Sequence, residues 1–221
     1  PPTPQAAPEE KSAFVTSMLT CAIAAGAYFA KVTGHGELTM PSGQVVPLAR
    51  YIDWIFTTPI MLYELCRLGG ADLSSTIMIL GCDLICLSFG LMSACLDRKR
   101  SSRAMLGYFF AAAFFYVFMM FAIHDQVAQG SALEQPQWVQ DLFYKLEVLT
   151  AVSWSCYPIV VFLGRASYRL ISKESEDFLF VFLDFISKVG MEALVLHAHI
   201  NGHANSASSS ASSGPGADGS S

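Results

Sequence analysis

Charge is scarce in this chain. Asp, Glu, Lys and Arg make up 14% of its 221 residues, while 53% are hydrophobic. A soluble domain of this size needs a more polar surface, so the composition points to a protein that crosses a membrane several times. There is no basic surplus either. The net charge is −5, which argues against a nucleic-acid partner. The six cysteines, at 21, 66, 82, 86, 95 and 156, form no CxxC pair. Their spacing suits neither zinc nor a disulfide framework, and they read as small apolar packing residues. No internal repeat and no signal-peptide pattern are visible. The chain starts at Pro1 without a methionine, and it reads as a fragment or a processed form.

Long apolar runs fill the space that charge leaves. Six of them approach the ~20 residues that a bilayer span needs: about 12–34, 47–69, 73–96, 104–124, 138–164 and 174–200. Backbone in lipid must satisfy its own hydrogen bonds, so these runs are expected to be antiparallel helices joined by short loops. Residues 1–11 read as a polar loop or tail, 12–200 as one transmembrane bundle, and 201–221 as a disordered Ser/Gly-rich tail. The segment GELTMPSGQVVP is expected to form a short hairpin, and DQVAQGSALEQPQ a polar loop.

The few charges inside these spans carry the functional signal. Asp184 and Lys188 sit in the middle of FLFVFLDFISKVGME. Each charge at a bilayer centre costs about 2.5–3.5 kcal/mol on insertion scales. Four residues apart, the two share a helical face and can pair. A buried lysine beside a carboxylate is a usual arrangement for holding a carbonyl compound as a Schiff base. In the second span, Asp53, Thr57 and Glu64 fall within about 40° of one another, and Glu64 lies about 16 Å along the axis from Asp53. Arg50 precedes Asp53 by one turn and can hold a carboxylate ionised. Glu64, in apolar surroundings, is expected to hold a proton until it is needed. Asp83 in the third span and Glu192, one turn past Lys188, complete the set. One such residue is as readily a structural ion pair as a functional one. Six aligned on two helices point to an ion or proton pathway. Tyr51, Trp54, Trp154 and Tyr157 are packing or interface aromatics by periodicity alone, with Pro158 expected to kink the fifth span.

Three motifs resemble those of microbial (type 1) rhodopsins: RYIDWIFTTP at 50–59, WSCYP at 154–158 and LDFISKVG at 183–190. The resemblance covers about 12–200 and implies an all-α, seven-helix retinal-binding bundle. Only six helices are read here, and the first is the one expected to be missing. It implies all-trans retinal on Lys188 as a protonated Schiff base. Asp53 would be the counterion and proton acceptor, Asp184 the second counterion, and Arg50 the charge that organises them. Thr57 would hydrogen-bond Asp53, and Glu64 would be the proton donor. The Asp53/Thr57/Glu64 triplet is similar to that of proteorhodopsin-like pumps. Thr58 and Asp83 match an interhelical pair behind the pocket. Tyr51, Trp54, Met61, Cys86, Gly90, Phe114, Trp154, Tyr157, Pro158 and Val161 match the retinal pocket.

The chain departs from the family pattern at several points. Ala27 stands where proteorhodopsins place a histidine beside the counterion. Val161 replaces a usual pocket tryptophan. Glu176 matches one carboxylate of a release pair, but Ala166 occupies the other position. Basic residues crowd the side that the family places outside, with Lys31, Arg103 and Lys173 among them, against the positive-inside rule. The resemblance implies a light-driven outward proton pump and not an enzyme: an integral multi-pass protein, a homo-oligomer in lipid, with protons as cargo and no identifiable transducer. Val161 and Glu192 leave a light-gated cation channel as the alternative, and a sensory photoreceptor is the other. Met61 in place of a glutamine points to green absorption.

Overall fold

The three expected motifs come together because six long helices pack side by side. The computed structural model describes residues 8–164, 168 and 170–198, with the backbone alone at 8–11, 98 and 99. The helices are α1 Pro8–Val32, α2 Leu48–Leu68, α3 Leu73–Cys95, α4 Arg98–Ala122, α5 Gln137–Leu163 and α6 Lys173–Asp184. After Asp184 the helix passes through a π-helical segment, Phe185–Val189. Helical backbone then continues over 190–198.

Several boundaries differ from expectation. α1 begins four residues before the expected span. The basic run expected to close the third span instead opens α4, interrupted at Ser101 (φ −137°, ψ 34°). The expected polar loop after α4 is largely helical: a π-helical segment, Ile123–Ala128, and a 3₁₀ turn, Ser131–Glu134. There Ile123 and Val127 are buried against the bundle, so packing holds a helix that polarity argues against. Pro158 lies inside α5, which runs unbroken to Leu163. The expected tails at 1–7 and 201–221, and Ala166, lie outside the described residues.

The hairpin is present as β1 Leu38–Thr39 and β2 Val45–Val46, antiparallel with Leu38 opposite Val46. It marks one end of the bundle. There Lys31 and Arg50 meet Asp177 from three different helices, and Lys173 meets Glu37. The far end is closed by the α2–α3 turn. Gly70 has φ +68°, and a Cβ on Gly69 would lie 2.4 Å from Val127, so both positions favour glycine. Asp72 caps α3 by accepting from the Ser75 N–H at 2.9 Å, and Ser172 caps α6.

Polarity is inverted relative to a soluble protein. Asp53, Glu64, Asp83, Asp184, Lys188 and Glu192 are buried, while Phe14, Met18, Phe29, Phe110, Val117 and Phe178 face outward. Four segments are long and apolar enough to cross a membrane: Ser12–Val32, Leu73–Cys95, Arg100–Glu134 and Gln137–Leu163. The two remaining helices, α2 and α6 with the helical turns that follow it, carry most of the buried charges, and α3 adds Asp83.

Candidate functional site

The site is built around Lys188, which is 3% exposed. Its ammonium contacts Asp53 Oδ2 across the bundle and lies 3.6 Å from Asp184 Oδ1 on its own helix. Two carboxylates thus face one cation. Asp184 is held by three more donors: the Tyr157 hydroxyl to Oδ1 at 2.7 Å, Trp54 Nε1 to Oδ1 at 3.5 Å, and the Tyr28 hydroxyl to Oδ2. Asp53 is less constrained. Its Oδ1 is buried and has no hydrogen-bond partner. The Thr57 hydroxyl donates to the Asp53 backbone carbonyl at 2.8 Å and lies beside its carboxylate.

Lys188 also lines a mostly apolar cavity. Its walls include Tyr51, Trp54, Thr58, Met61, Asp83, Cys86, Gly90, Trp154, Tyr157, Pro158 and Val161. Trp54 packs edge-on against Tyr51 and Tyr157. Tyr51 donates to the Gly90 carbonyl at 3.1 Å. Thr58 donates to Asp83 Oδ2 at 2.6 Å, tying α2 to α3.

Phe114 is a correction. It is 64% exposed, stacks on Phe118 and lies outside the cavity. From α4 the walls are Phe109, Ala112, Ala113, Tyr116 and Met119. α4 is apolar around its whole circumference, so periodicity could not tell its lipid face from its pocket face. Tyr116 is the polar clue, since its hydroxyl pairs with Ser155 at 2.9 Å. Tyr28, Ser187 and Asp177 were also not singled out from the sequence. Tyr28 is the one tyrosine of α1, and a phenol in an apolar span needs a partner.

Arg50 is directed differently from expectation. Its ion pairs are with Glu176 at 3.6 Å and Asp177 at 3.3 Å, and its guanidinium carbon lies 3.6 Å above the centre of the Phe180 ring. Between it and the two central carboxylates lies a small polar cavity lined by Ala27, Tyr28, Arg50, Asp53 and Asp184, among others. Ala27 and Asp53 thus line the same cavity.

Glu64 lies toward the far end, 2% exposed. Its setting is not the apolar one expected. Arg67, one turn on, grips both oxygens, with Nη2 to Oε1 at 2.6 Å and Nε to Oε2 at 3.3 Å. Thr16 adds a donor to Oε2 at 3.5 Å. Glu192 is also buried and accepts from Ser17 Oγ at 2.5 Å.

The arrangement suits one kind of ligand. A lone buried amine lining an apolar, aromatic-walled slot fits a long conjugated aldehyde, joined to the nitrogen and lying along the slot. The paired carboxylates would balance a retained positive charge.

A sequence model of the family described as bacteriorhodopsin-like protein matches residues 3–202. The chain is 32% identical to bacteriorhodopsin of Halobacterium salinarum over 212 residues, covering 94% of this chain and 79% of that one. Among solved structures, the thermophilic rhodopsin of Rubrobacter xylanophilus superposes with a TM-score of 0.80 at 30% identity, covering 85% of this chain and 82% of the other. A light-driven proton pump of Leptosphaeria maculans superposes with a TM-score of 0.78 at 26% identity, covering 86% and 82%. The chain belongs to the bacteriorhodopsin-like family: it is a microbial rhodopsin, an integral multi-pass membrane protein, and that membership implies a retinal chromophore.

Proposed function

We propose that the protein is a light-driven outward proton pump that uses all-trans retinal on Lys188, with the hairpin end facing outside and homo-oligomers in the bilayer. The observation that carries this reading is the line of groups through the bundle. Glu64 lies toward the far end, Lys188 and Asp53 are in contact at the middle, and Arg50, Glu176 and Asp177 gather at the hairpin end.

The residues present fit the chromophore. Lys188 lines the cavity, the other walls are mostly apolar and aromatic, and Asp53 keeps one buried oxygen free. Retinal, when bound, supplies the absorption of light and the change of shape that follows. The chain's own residues do the rest. Asp184, fixed by Tyr28, Trp54 and Tyr157, serves as the second counterion beside the Lys188 nitrogen. Asp53, with a free oxygen, accepts the proton from that nitrogen. Neutral Asp53 no longer balances the positive side of the small polar cavity, so Arg50 and its carboxylates can pass a proton toward the hairpin end. A proton then returns to Lys188 from the Glu64 side. The bulky walls and the Thr58–Asp83 tie keep water out of the slot.

Cells that make the protein and are given retinal are expected to acidify their medium in light, and a protonophore is expected to abolish the signal. No acidification sinks the reading. Photocurrents that reverse with membrane potential would mark a passive channel instead.

A further inference from the structure

Glu192 is the buried carboxylate that this cycle leaves unused. It stands one turn past Lys188 on the last helix and is 6% exposed. No cation pairs with it among the described residues. The Lys188 nitrogen is engaged by Asp53 and Asp184, and Arg67 by Glu64. The titratable groups that face Glu192 are Cys21 on α1 and Glu64 on α2, with Lys188 one turn before it on its own helix. An ionised carboxylate buried in an apolar span without a cation is costly, so Glu192 is suited to carry a proton at rest. Glu64, by contrast, is held by both oxygens against a guanidinium.

Neighbouring hydroxyl residues of α1 reach the two carboxylates. Ser17 Oγ lies 2.5 Å from Glu192 Oε2, and Thr16 Oγ1 lies 3.5 Å from Glu64 Oε2. One turn along the same helix, the buried Thr20 hydroxyl also faces the Glu192 carboxyl.

We propose that Glu192 is the group that returns the proton to the Lys188 nitrogen, and that Glu64 refills it through Thr16 and Ser17. The Glu192 O–H bond breaks, the proton goes to the nitrogen, and the carboxylate remains. A proton entering at Glu64 then passes along the hydroxyls, each giving one proton as it takes one, and restores the neutral acid. The inference rests on the proton-exchange part of the pump reading and is independent of the direction of transport.

The test uses the retinal-loaded full chain with Glu192→Gln, Glu192→Asp, Ser17→Ala and Glu64→Gln. After a flash, Glu192→Gln is expected to slow recovery of the visible band at least about tenfold. It should also make that rate fall with rising pH, and azide, a small weak acid, should restore it. Glu192→Asp should recover most of the rate, and Ser17→Ala should slow refilling. In the chain without retinal, infrared spectroscopy should show a protonated-carboxyl stretch that Glu192→Gln removes. Unchanged recovery in Glu192→Gln, or an unchanged carboxyl stretch, overturns the proposal. Should Glu192→Gln fail to form pigment, unchanged recovery in both Glu192→Asp and Ser17→Ala overturns it instead. Slowed recovery in Glu192→Gln without acidification by the parent protein would overturn the pump and leave Glu192 in place.

Discussion

Lys188 contacts Asp53, 135 positions away in the chain, more closely than Asp184, which lies 3.6 Å off on its own helix. The reason lies in the other partners. Asp184 is drawn by Tyr28, Trp54 and Tyr157, whereas Asp53 Oδ1 has none. The two carboxylates flank one cation, and on the proposed pump reading the unpartnered Asp53 oxygen gives it the capacity to take a proton.

Asp53→Asn removes that capacity and one negative charge beside the nitrogen. Transport is expected to fall to background and the absorption band to move to longer wavelength. A light-induced pH measurement and an absorption spectrum check both.

Lys188→Ala removes the one amine that lines the slot among the described residues. Added retinal is expected to produce no visible band, while circular dichroism keeps its helical signature. A retained visible band would place the attachment elsewhere.

Tyr28→Phe strips Asp184 Oδ2 of its phenol donor. Hydrogen bonds to charged groups contribute about 1.5–3 kcal/mol. The pigment is expected to bleach at a lower temperature and to shift in colour, which a thermal scan followed in the visible range reports.

Thr58→Val keeps the shape of the side chain but leaves Asp83 without its donor at 2.6 Å. An unsatisfied buried acceptor costs about 1–3 kcal/mol. The thermal midpoint should drop, and α3 should loosen from α2 with faster amide exchange around residue 83.

Arg50→Gln leaves Glu176 and Asp177 without their shared guanidinium. Proton appearance at the hairpin end, followed with a pH dye, is expected to lag behind proton transfer to Asp53. Simultaneous appearance would remove Arg50 from the exit path.

The helices and the central pair were legible in the sequence for a simple reason. A charge in an apolar run of ~20 residues is conspicuous, and Lys188, Asp53 and Asp184 each stand in one. What could not be read depended on partners from other helices. Arg50 sits one turn from Asp53, but where its long side chain goes is decided by Asp177 and Phe180 on α6. Glu64 looked isolated because Arg67 lay near the end of its span. Phe114 and Tyr116 are two positions apart on a helix with no polar face, so only the fold separates them. Tyr28 needed the position of Asp184, which is 156 residues away.

The π-helical segment at Phe185–Val189 has a mechanical consequence. A π turn accommodates one residue more than an α turn, so it works as a vernier between the two halves of the last helix. Winding the same residues into regular α geometry, with none removed, would turn everything beyond by about 100°. Asp184 would keep Tyr28 and Trp54. Lys188 and Glu192 would swing away from Asp53 and Ser17 together. The angular setting of a single helical turn thus holds both carboxylate contacts in phase.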